Sequence, residues 1–249
     1  MDRKVVFEEK ITSEILMLRM EDRVSKNTFS KELIEQLEES FERIRNDDVY
    51  KVVIMTGYDN YFCSGGTMES LLAINQGKEK FTDKNIYSLA LECDIPVISA
   101  MQGHGIGGGF VMGLFADFVV LGKECVYTTN FMKYGFTPGM GATCVVPKKL
   151  GIALGEEMLL NAGTYRGAEL EKRGVPYPVL PKAEVVGYAI ELAKQLAEKP
   201  RLSLITLKKH LVSDIRNELP AYIEKEIEMH EITFHQPIVE ERIKQLFGR

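Results

Sequence analysis

The sequence is poor in residues that bind metals or form covalent cross-links. Its 249 residues include four cysteines and four histidines. The cysteines form no C-x-x-C pair, so neither a zinc site nor a disulfide framework is predicted. We therefore expect reduced thiols, a cytoplasmic protein and no bound metal.

Long apolar runs and blocks of like charge are also missing. No stretch approaches the roughly 20 apolar residues that span a bilayer. The net charge is −5 and no block of lysine and arginine dominates, which argues against a nucleic-acid surface. With 45% hydrophobic residues, the chain can bury a full core. We expect a soluble protein with no membrane and no nucleic-acid partner.

The first sixty residues carry a strand, strand, helix, strand pattern. Residues 5–10 and 15–19 read as two paired strands, and residues 49–56 as a third. The helix between them is predicted from spacings of four and three, with Thr28 or Ser30 as its cap; the apolar residues are Phe29, Leu33, Leu37, Phe41 and Ile44. Repeats of this kind predict a layered α/β fold.

The rest of the chain changes character twice. Residues 68–92 are weakly patterned, which is typical of a lid, and Asp83 is predicted to cap a short helix that includes residues 86–90. A helix over 110–115 and a strand over 116–121 follow. From residue 185 onward the pattern is helical, over 185–197, 202–215 and 220–247, with Pro200 and Pro220 at the starts of helices and a break at Pro237.

Two glycine-rich turns, residues 62–67 and 103–109, each follow a β-branched run. Glycine lets the backbone adopt positive φ and lets a carbonyl group approach the main chain closely. Backbone N–H groups from two such turns can bind one oxyanion. The pair of turns therefore predicts a site that stabilises an enolate.

Together with Pro138-Gly139-Met140-Gly141, these turns resemble those of the crotonase (enoyl-CoA hydratase/isomerase) superfamily over nearly all of the chain. The resemblance implies an α/β spiral of β-β-α units over residues 1–184. It also implies a C-terminal helical oligomerisation region over residues 185–249 that forms trimers, alone or paired into hexamers. By position in the motifs, the oxyanion-hole donors are the N–H groups of Gly66 and Gly108.

The acidic residues of the hydratases in this superfamily are missing. Val111 stands three positions after the second oxyanion glycine, and Phe131 stands seven before the Pro-Gly-x-Gly turn. Hydration requires groups that activate water and deliver a proton, and neither side chain can do so. We expect a different reaction through the same enolate, in a substrate pocket that Val111 and Phe131 make drier.

The chain resembles the decarboxylating branch of the superfamily that serves polyketide β-branching. In that branch a lysine and a C-terminal histidine replace the two acids, and the matching positions are Lys80 and His230. Periodicity places His230 on an apolar stripe, so a core or interface histidine stays open, and Lys80 could belong to a solvated charge run. Gln76, where some relatives have tyrosine, is predicted to contribute a hydrogen bond to the substrate pocket.

The resemblance also implies the substrate. Where coenzyme A enzymes often carry a lysine near the nucleotide phosphates, this chain has Met68-Glu69, and an acidic group there repels phosphate. This favours a 3-methylglutaconyl thioester on the phosphopantetheine arm of an acyl carrier protein, decarboxylated to a 3-methylcrotonyl thioester without any cofactor. The alternatives are a coenzyme A-dependent enoyl isomerase or hydratase that uses Glu69 or Glu92, and a non-catalytic scaffold with the crotonase fold.

Overall fold

Two β-sheets form the framework of the fold, which a computed structural model describes for residues 3–247. The six-stranded sheet has the order β1-β2-β3-β5-β7-β10 and the four-stranded sheet the order β4-β6-β8-β9. The strands are β1 Val6–Lys10, β2 Ile15–Met20, β3 Val52–Thr56, β4 Tyr61–Cys63, β5 Val97–Met101, β6 His104–Ile106, β7 Phe118–Gly122, β8 Val126–Thr128, β9 Thr164–Arg166 and β10 Val179–Leu180.

The predicted pairing of the first two strands is confirmed. Strands β1 and β2 are antiparallel, with Val6 opposite Met20, and the other neighbours in the six-stranded sheet are parallel. All five residues of β3 and of β5 are buried, as is usual for parallel strands covered on both faces. The α/β class follows directly from these continuous apolar runs.

Helices surround the sheets and fill the C-terminal quarter. They are α1 Lys31–Arg45, α2 Met68–Asn75, α3 Leu89–Glu92, α4 Gly108–Leu114, α5 Phe131–Tyr134, α6 Ala142–Leu150, α7 Ile152–Asn161, α8 Gly167–Lys172, α9 Val185–Ala197, α10 Arg201–Leu211, α11 Ser213–Thr233 and α12 Pro237–Leu246, with a 3₁₀ turn at Lys182–Glu184. Ser30 caps α1, because its Oγ accepts the N–H of Leu33 (3.2 Å).

Helix α9 begins at Val185 as predicted, and it packs on the six-stranded sheet. Val185, Ala189 and Ala193 are fully buried in a cluster that includes Ile54 and Ile98 from β3 and β5. Small residues at spacings of four let the helix approach the sheet closely. The first helix after residue 184 is therefore held by the same core as the strands.

Two details of the predicted helices are wrong. Asp83 caps no helix, because its Oδ2 accepts the backbone N–H of Lys80 (2.8 Å) and the helix is confined to Leu89–Glu92. Pro220 lies inside α11 and not at its start. The residues before Pro220 contain no helix breaker, so the helix begins ahead of it. Within the helix, Pro220 removes one backbone hydrogen bond and adds some strain.

All four cysteines are buried thiols outside any disulfide in the described part of the chain. Over the same residues, 3–247, none of the helices has both the length and the apolar character needed to cross a membrane.

Candidate active site

The two glycine-rich turns meet at the start of helix α4. Gly65 has a φ of +77°, and a Cβ added to it would lie 3.3 Å from the amide nitrogen of Gly108. The N–H of Phe29 donates to the carbonyl oxygen of Gly65 (2.7 Å), which fixes the first turn against the chain before α1. Within residues 3–247, the N–H groups of Gly66 and Gly108 donate to no backbone carbonyl. Both are available to an oxyanion.

A side chain at Gly108 would displace its neighbours. An added Cβ would lie 2.6 Å from Sδ of Met140 and 2.8 Å from Cε2 of Phe29. Glycine therefore keeps the backbone N–H at the surface of the site while Met140 and Phe29 close over it.

A cavity of about 690 Å³, here called the acyl cavity, opens in front of these amides. It brings together five of the residues predicted for the site: Gly66, Lys80, Gly108, Phe131 and His230. They come from α2's leading loop, the irregular segment after α2, α4, α5 and α11. Residues separated by more than 160 positions thus share one wall.

The structure does not bring the other two predicted residues to this wall. Val111 is fully buried in α4, one turn beyond Gly108, and Gln76 is exposed at the C-terminal end of α2. Within the described residues, neither lines the acyl cavity. Val111 supports the site from the core, and of the two apolar replacements Phe131 lines the acyl cavity.

His230 is a buried imidazole whose hydrogen bonding fixes its tautomer. Its Nε2 lies 2.8 Å from the carbonyl oxygen of Thr137, and because a carbonyl only accepts, Nε2 carries the proton. The rings of Phe81 and Phe234 pack edge-on against it, with centroids 4.9 and 5.0 Å away. Within residues 3–247, the contact with Thr137 is the hydrogen bond that the structure gives to this ring, and His230 lines the acyl cavity.

Burial lowers the pKa of His230 to about 4, against the opposing effect of the carbonyl groups of Thr137 and Pro138. The desolvated ring disfavours the charged form. At neutral pH the folded protein therefore holds a neutral imidazole with an unprotonated Nδ1.

Lys80 places a cation at the wall of the acyl cavity. Its side chain is 62% exposed and lies 3.9 Å from the carboxylate of Glu231, a separation at which exposed ion pairs contribute little. The backbone N–H of Lys80 donates to the carboxylate of Asp83 (2.8 Å), which holds the main chain of this segment in place.

Glu226 is a site residue that the sequence reasoning missed. It is fully buried and accepts three hydrogen bonds, from the N–H of Gly141 (2.7 Å), the N–H of Thr143 (2.8 Å) and Oγ1 of Thr143 (2.6 Å). Burial raises its pKa, and the three donors lower it in part. Because Glu226 lies four residues before His230 on α11, both side chains form hydrogen bonds with the same segment, 137–143.

A second cavity, of about 700 Å³, adjoins the same two glycines; we call it the outer cavity. Gly66 and Gly108 line both spaces. The outer cavity reaches Val24, Lys26 and His104. A molecule whose carbonyl is held by the two amides can therefore extend in both directions.

The profile of the enoyl-CoA hydratase/isomerase family matches residues 10–246. The chain belongs to the enoyl-CoA hydratase/isomerase family. This confirms the family predicted from the glycine-rich turns.

Within this family, the chain is most usefully compared with decarboxylases. It is 65% identical over 248 residues to the bacillaene synthase decarboxylase PksI of Bacillus subtilis (strain 168), covering 100% of both chains. A solved structure from a dehydratase/decarboxylase enzyme couple involved in polyketide β-branching is 65% identical, with a TM-score of 0.98 over 99% of this chain and 100% of that one. The decarboxylase domain of CurF from Lyngbya majuscula is 44% identical, with a TM-score of 0.94 over 98% and 99%.

Proposed function

We propose that this protein decarboxylates a 3-methylglutaconyl thioester carried by an acyl carrier protein, giving a 3-methylcrotonyl thioester in polyketide β-branching. The observation that carries the proposal is the acyl cavity. It combines two backbone N–H donors with a lysine and a histidine. Relatives that are 65% and 44% identical are decarboxylases.

The reaction uses the thioester carbonyl as its electron sink. The bond between the carboxylate carbon and the γ-carbon breaks, carbon dioxide leaves, and the electron pair moves through the double bond onto the carbonyl oxygen. The N–H groups of Gly66 and Gly108 stabilise the resulting dienolate. Loss of one such donor in other enzymes costs about 10²–10³ in rate. A proton then returns to the γ-carbon.

Lys80 and His230 act at the carboxylate end in this proposal. Lys80 leaves Glu231 and pairs with the substrate carboxylate. The carboxylate also raises the pKa of His230, which then carries a proton on Nδ1. Once carbon dioxide has left, that proton is in position for the carbanion, and the aromatic rings of Phe81 and Phe234 limit competing access of water.

The coenzyme A-dependent alternatives depend on an acid at the cavity. Glu69 lines the acyl cavity, so it is the residue on which a hydratase or isomerase would rely. Glu92 lies 3.9 Å from the guanidinium of Arg216 and, among the described residues, is not part of the cavity wall. The well-formed cavity argues against a non-catalytic scaffold.

Mass spectrometry of the carrier-bound thioester tests this function. Wild-type protein should release carbon dioxide, and Lys80→Ala and His230→Ala should each slow the release at least about 10²-fold. Lys78→Ala is the matched control, because Lys78 is exposed and two residues away. Hydration or isomerisation of the same acyl group without loss of carbon dioxide would refute the proposal, and a Glu69→Gln variant that alone abolished turnover would favour the alternative.

We include a cytoplasmic trimer in the same proposal. Helix α10 presents Leu207 and Leu211, four residues apart on one face, with 56% and 69% of their surface exposed, and neighbouring exposed apolar residues favour a contact between subunits. Light scattering after size-exclusion chromatography should give the mass of three chains. A Leu207→Glu variant that remained fully trimeric would contradict an interface through α10.

A further inference from the structure

Asn27 is a fully buried side chain that connects the two β-sheets. Its Nδ2 donates to the carbonyl oxygen of Met20 at the end of β2 (2.9 Å) and to that of Phe62 in β4 (3.0 Å). Its Oδ1 accepts the backbone N–H of Asp22 (2.7 Å). Two carbonyl groups beside the NH₂ group and an N–H beside the oxygen determine the orientation of the amide. One side chain thus links the six-stranded sheet to the four-stranded sheet.

The main chain of Asn27 belongs to the same link. Its carbonyl oxygen accepts the N–H of Ser64 (2.9 Å) and the Sγ–H of Cys63 (3.1 Å), and its N–H donates to the carbonyl oxygen of Asp22 (3.1 Å). The φ of Asn27 is +53°, a left-handed conformation that asparagine tolerates better than most residues. Every polar atom of Asn27 has a partner, and three successive residues of the first glycine-rich turn, 62–64, bond to it.

These contacts cover one edge of β4. Over the described residues, β4 is the first strand of its sheet, and β6 is its strand partner on the other edge. Residues 27–29 run along the edge that β6 leaves open. Thr28 pairs with Gly65, and the N–H of Phe29 donates to the carbonyl oxygen of Gly65 (2.7 Å). Gly66 is the next residue, so the direction of its N–H depends on how this edge is held.

The segment that Asn27 holds also packs against the second oxyanion glycine. A Cβ added to Gly108 would lie 2.8 Å from Cε2 of Phe29, and Phe29 is buried and lines the acyl cavity. Residues 27–29 therefore contact both glycine-rich turns. A displacement of this segment would change the separation of the two N–H groups, and binding of one oxygen by two donors is sensitive to that separation.

We propose that Asn27 is a positioning residue of the oxyanion hole, which holds the N–H of Gly66 at the distance from the N–H of Gly108 that one thioester oxygen requires. Among the described residues, Asn27 lines neither the acyl cavity nor the outer cavity, so it acts through the turn. The proposal rests on the proposed function, because it explains how the dienolate site of that reaction is held. Charge on the oxygen is greater in the dienolate than in the bound thioester, so misplaced donors lower kcat more than they raise KM.

Asn27→Gly separates the amide from the backbone conformation, because glycine adopts positive φ without strain. This variant should lower kcat by about 10–10²-fold, with KM for the pantetheine thioester of the substrate changed by less than about threefold. Gln36→Ala is the matched control. The Gln36 amide also holds main chain, since it accepts the N–H groups of Val5 (2.8 Å) and Val6 (3.0 Å) and donates to the carbonyl oxygen of Arg3 (2.8 Å). Its loss should lower stability in urea denaturation and leave kcat unchanged.

Infrared spectroscopy of a bound carbonyl group measures the oxyanion hole directly. The probe is the pantetheine thioester of 3-methylcrotonate with a ¹³C-labelled carbonyl, which has no carboxylate to lose. Hydrogen bonds to the carbonyl oxygen lower its stretching frequency. Wild type and Gln36→Ala should lower it equally, and Asn27→Gly should lose at least about half of this shift. A less stable Asn27→Gly variant with the kcat and the carbonyl stretch of wild type would overturn the proposal.

Asn27→Asp replaces Asn27→Gly in both measurements if the glycine variant does not fold. It keeps the acceptor for the N–H of Asp22, and its protonated carboxyl group can donate to one of the two carbonyl groups that the amide served. It should also lower kcat and reduce the infrared shift, and the values of wild type in both measurements would overturn the proposal.

The infrared measurement also keeps the positioning role separate from the chemistry. A carbonyl stretch that is lowered in wild type and depends on Asn27, without release of carbon dioxide from the carrier-bound substrate, would refute the proposed function and support the positioning role. A stretch in wild type identical to that of the free probe would overturn the oxyanion assignment of Gly66 and Gly108, and the positioning role with it.

Discussion

Protonation of the buried His230 should make the protein lose stability as the pH falls. In the folded protein its pKa is lowered from 6.5 to about 4, chiefly by burial. Below about pH 6.5, His230 therefore binds a proton in the unfolded chain. In the folded chain it binds that proton only below about pH 4. From these values, His230 alone removes about 2 kcal/mol between pH 7 and pH 5, and about 3 kcal/mol by pH 4.

Urea denaturation at about pH 7 and pH 5 measures this loss. His230→Gln is the informative variant, because its amide can still donate to Thr137 but does not titrate. Its free energy of unfolding should fall by about 2 kcal/mol less than that of wild type over this range. Glu226, whose pKa burial raises, is present in both proteins, so its effect cancels in the comparison.

The control is His210→Gln, since His210 lies exposed on α10. This variant should lose as much stability as wild type. If wild type and His230→Gln lost equal amounts within about 0.5 kcal/mol, the imidazole would not be held neutral by burial. The role assigned to the substrate carboxylate in charging it would then fail too.

Gly108→Pro should lower kcat by about 10²–10³ by removing an oxyanion donor. Gly108→Ala keeps the N–H but presses on neighbouring side chains, so it measures the steric part of the loss in kcat. Equal activity of the two variants would count against the oxyanion role. Glu226→Gln should cost about 1–3 kcal/mol in urea denaturation, because its NH₂ group faces an N–H donor, and it should also lower kcat by displacing the segment that His230 contacts. Glu218→Gln, on the exposed part of the same helix, is the matched control and should change neither quantity.

The sequence was sufficient where local chemistry determines the structure. The β-branched runs before residues 62–67 and 103–109 predicted strands and turns, and the helical pattern over residues 185–197 predicted α9. Lys80 and His230 required the resemblance to a family, since a lysine in a charge run and a histidine on an apolar stripe have ordinary explanations. Their common cavity depends on contacts across 150 positions.

Glu226 shows why the rest was not predicted. Residues 224–231 contain four glutamates, and only one of them is buried. What distinguishes Glu226 is a set of donors on residues 141 and 143, more than 80 positions away, which no local pattern reveals. The prediction for Asp83 was wrong for a related reason. Its carboxylate accepts the backbone N–H of Lys80 and caps no helix.

The contacts of α11 with the segment 137–143 constrain the number of residues between Glu226 and His230. Glu226 and His230 are separated by four residues, just over one turn, so both reach the same segment. Inserting or deleting one residue between them would rotate one side chain by about 100° and shift it by about 1.5 Å relative to the other. The exposed positions of this helix can accept substitutions. A single insertion or deletion between residues 226 and 230 would separate the His230 imidazole from the carbonyl of Thr137.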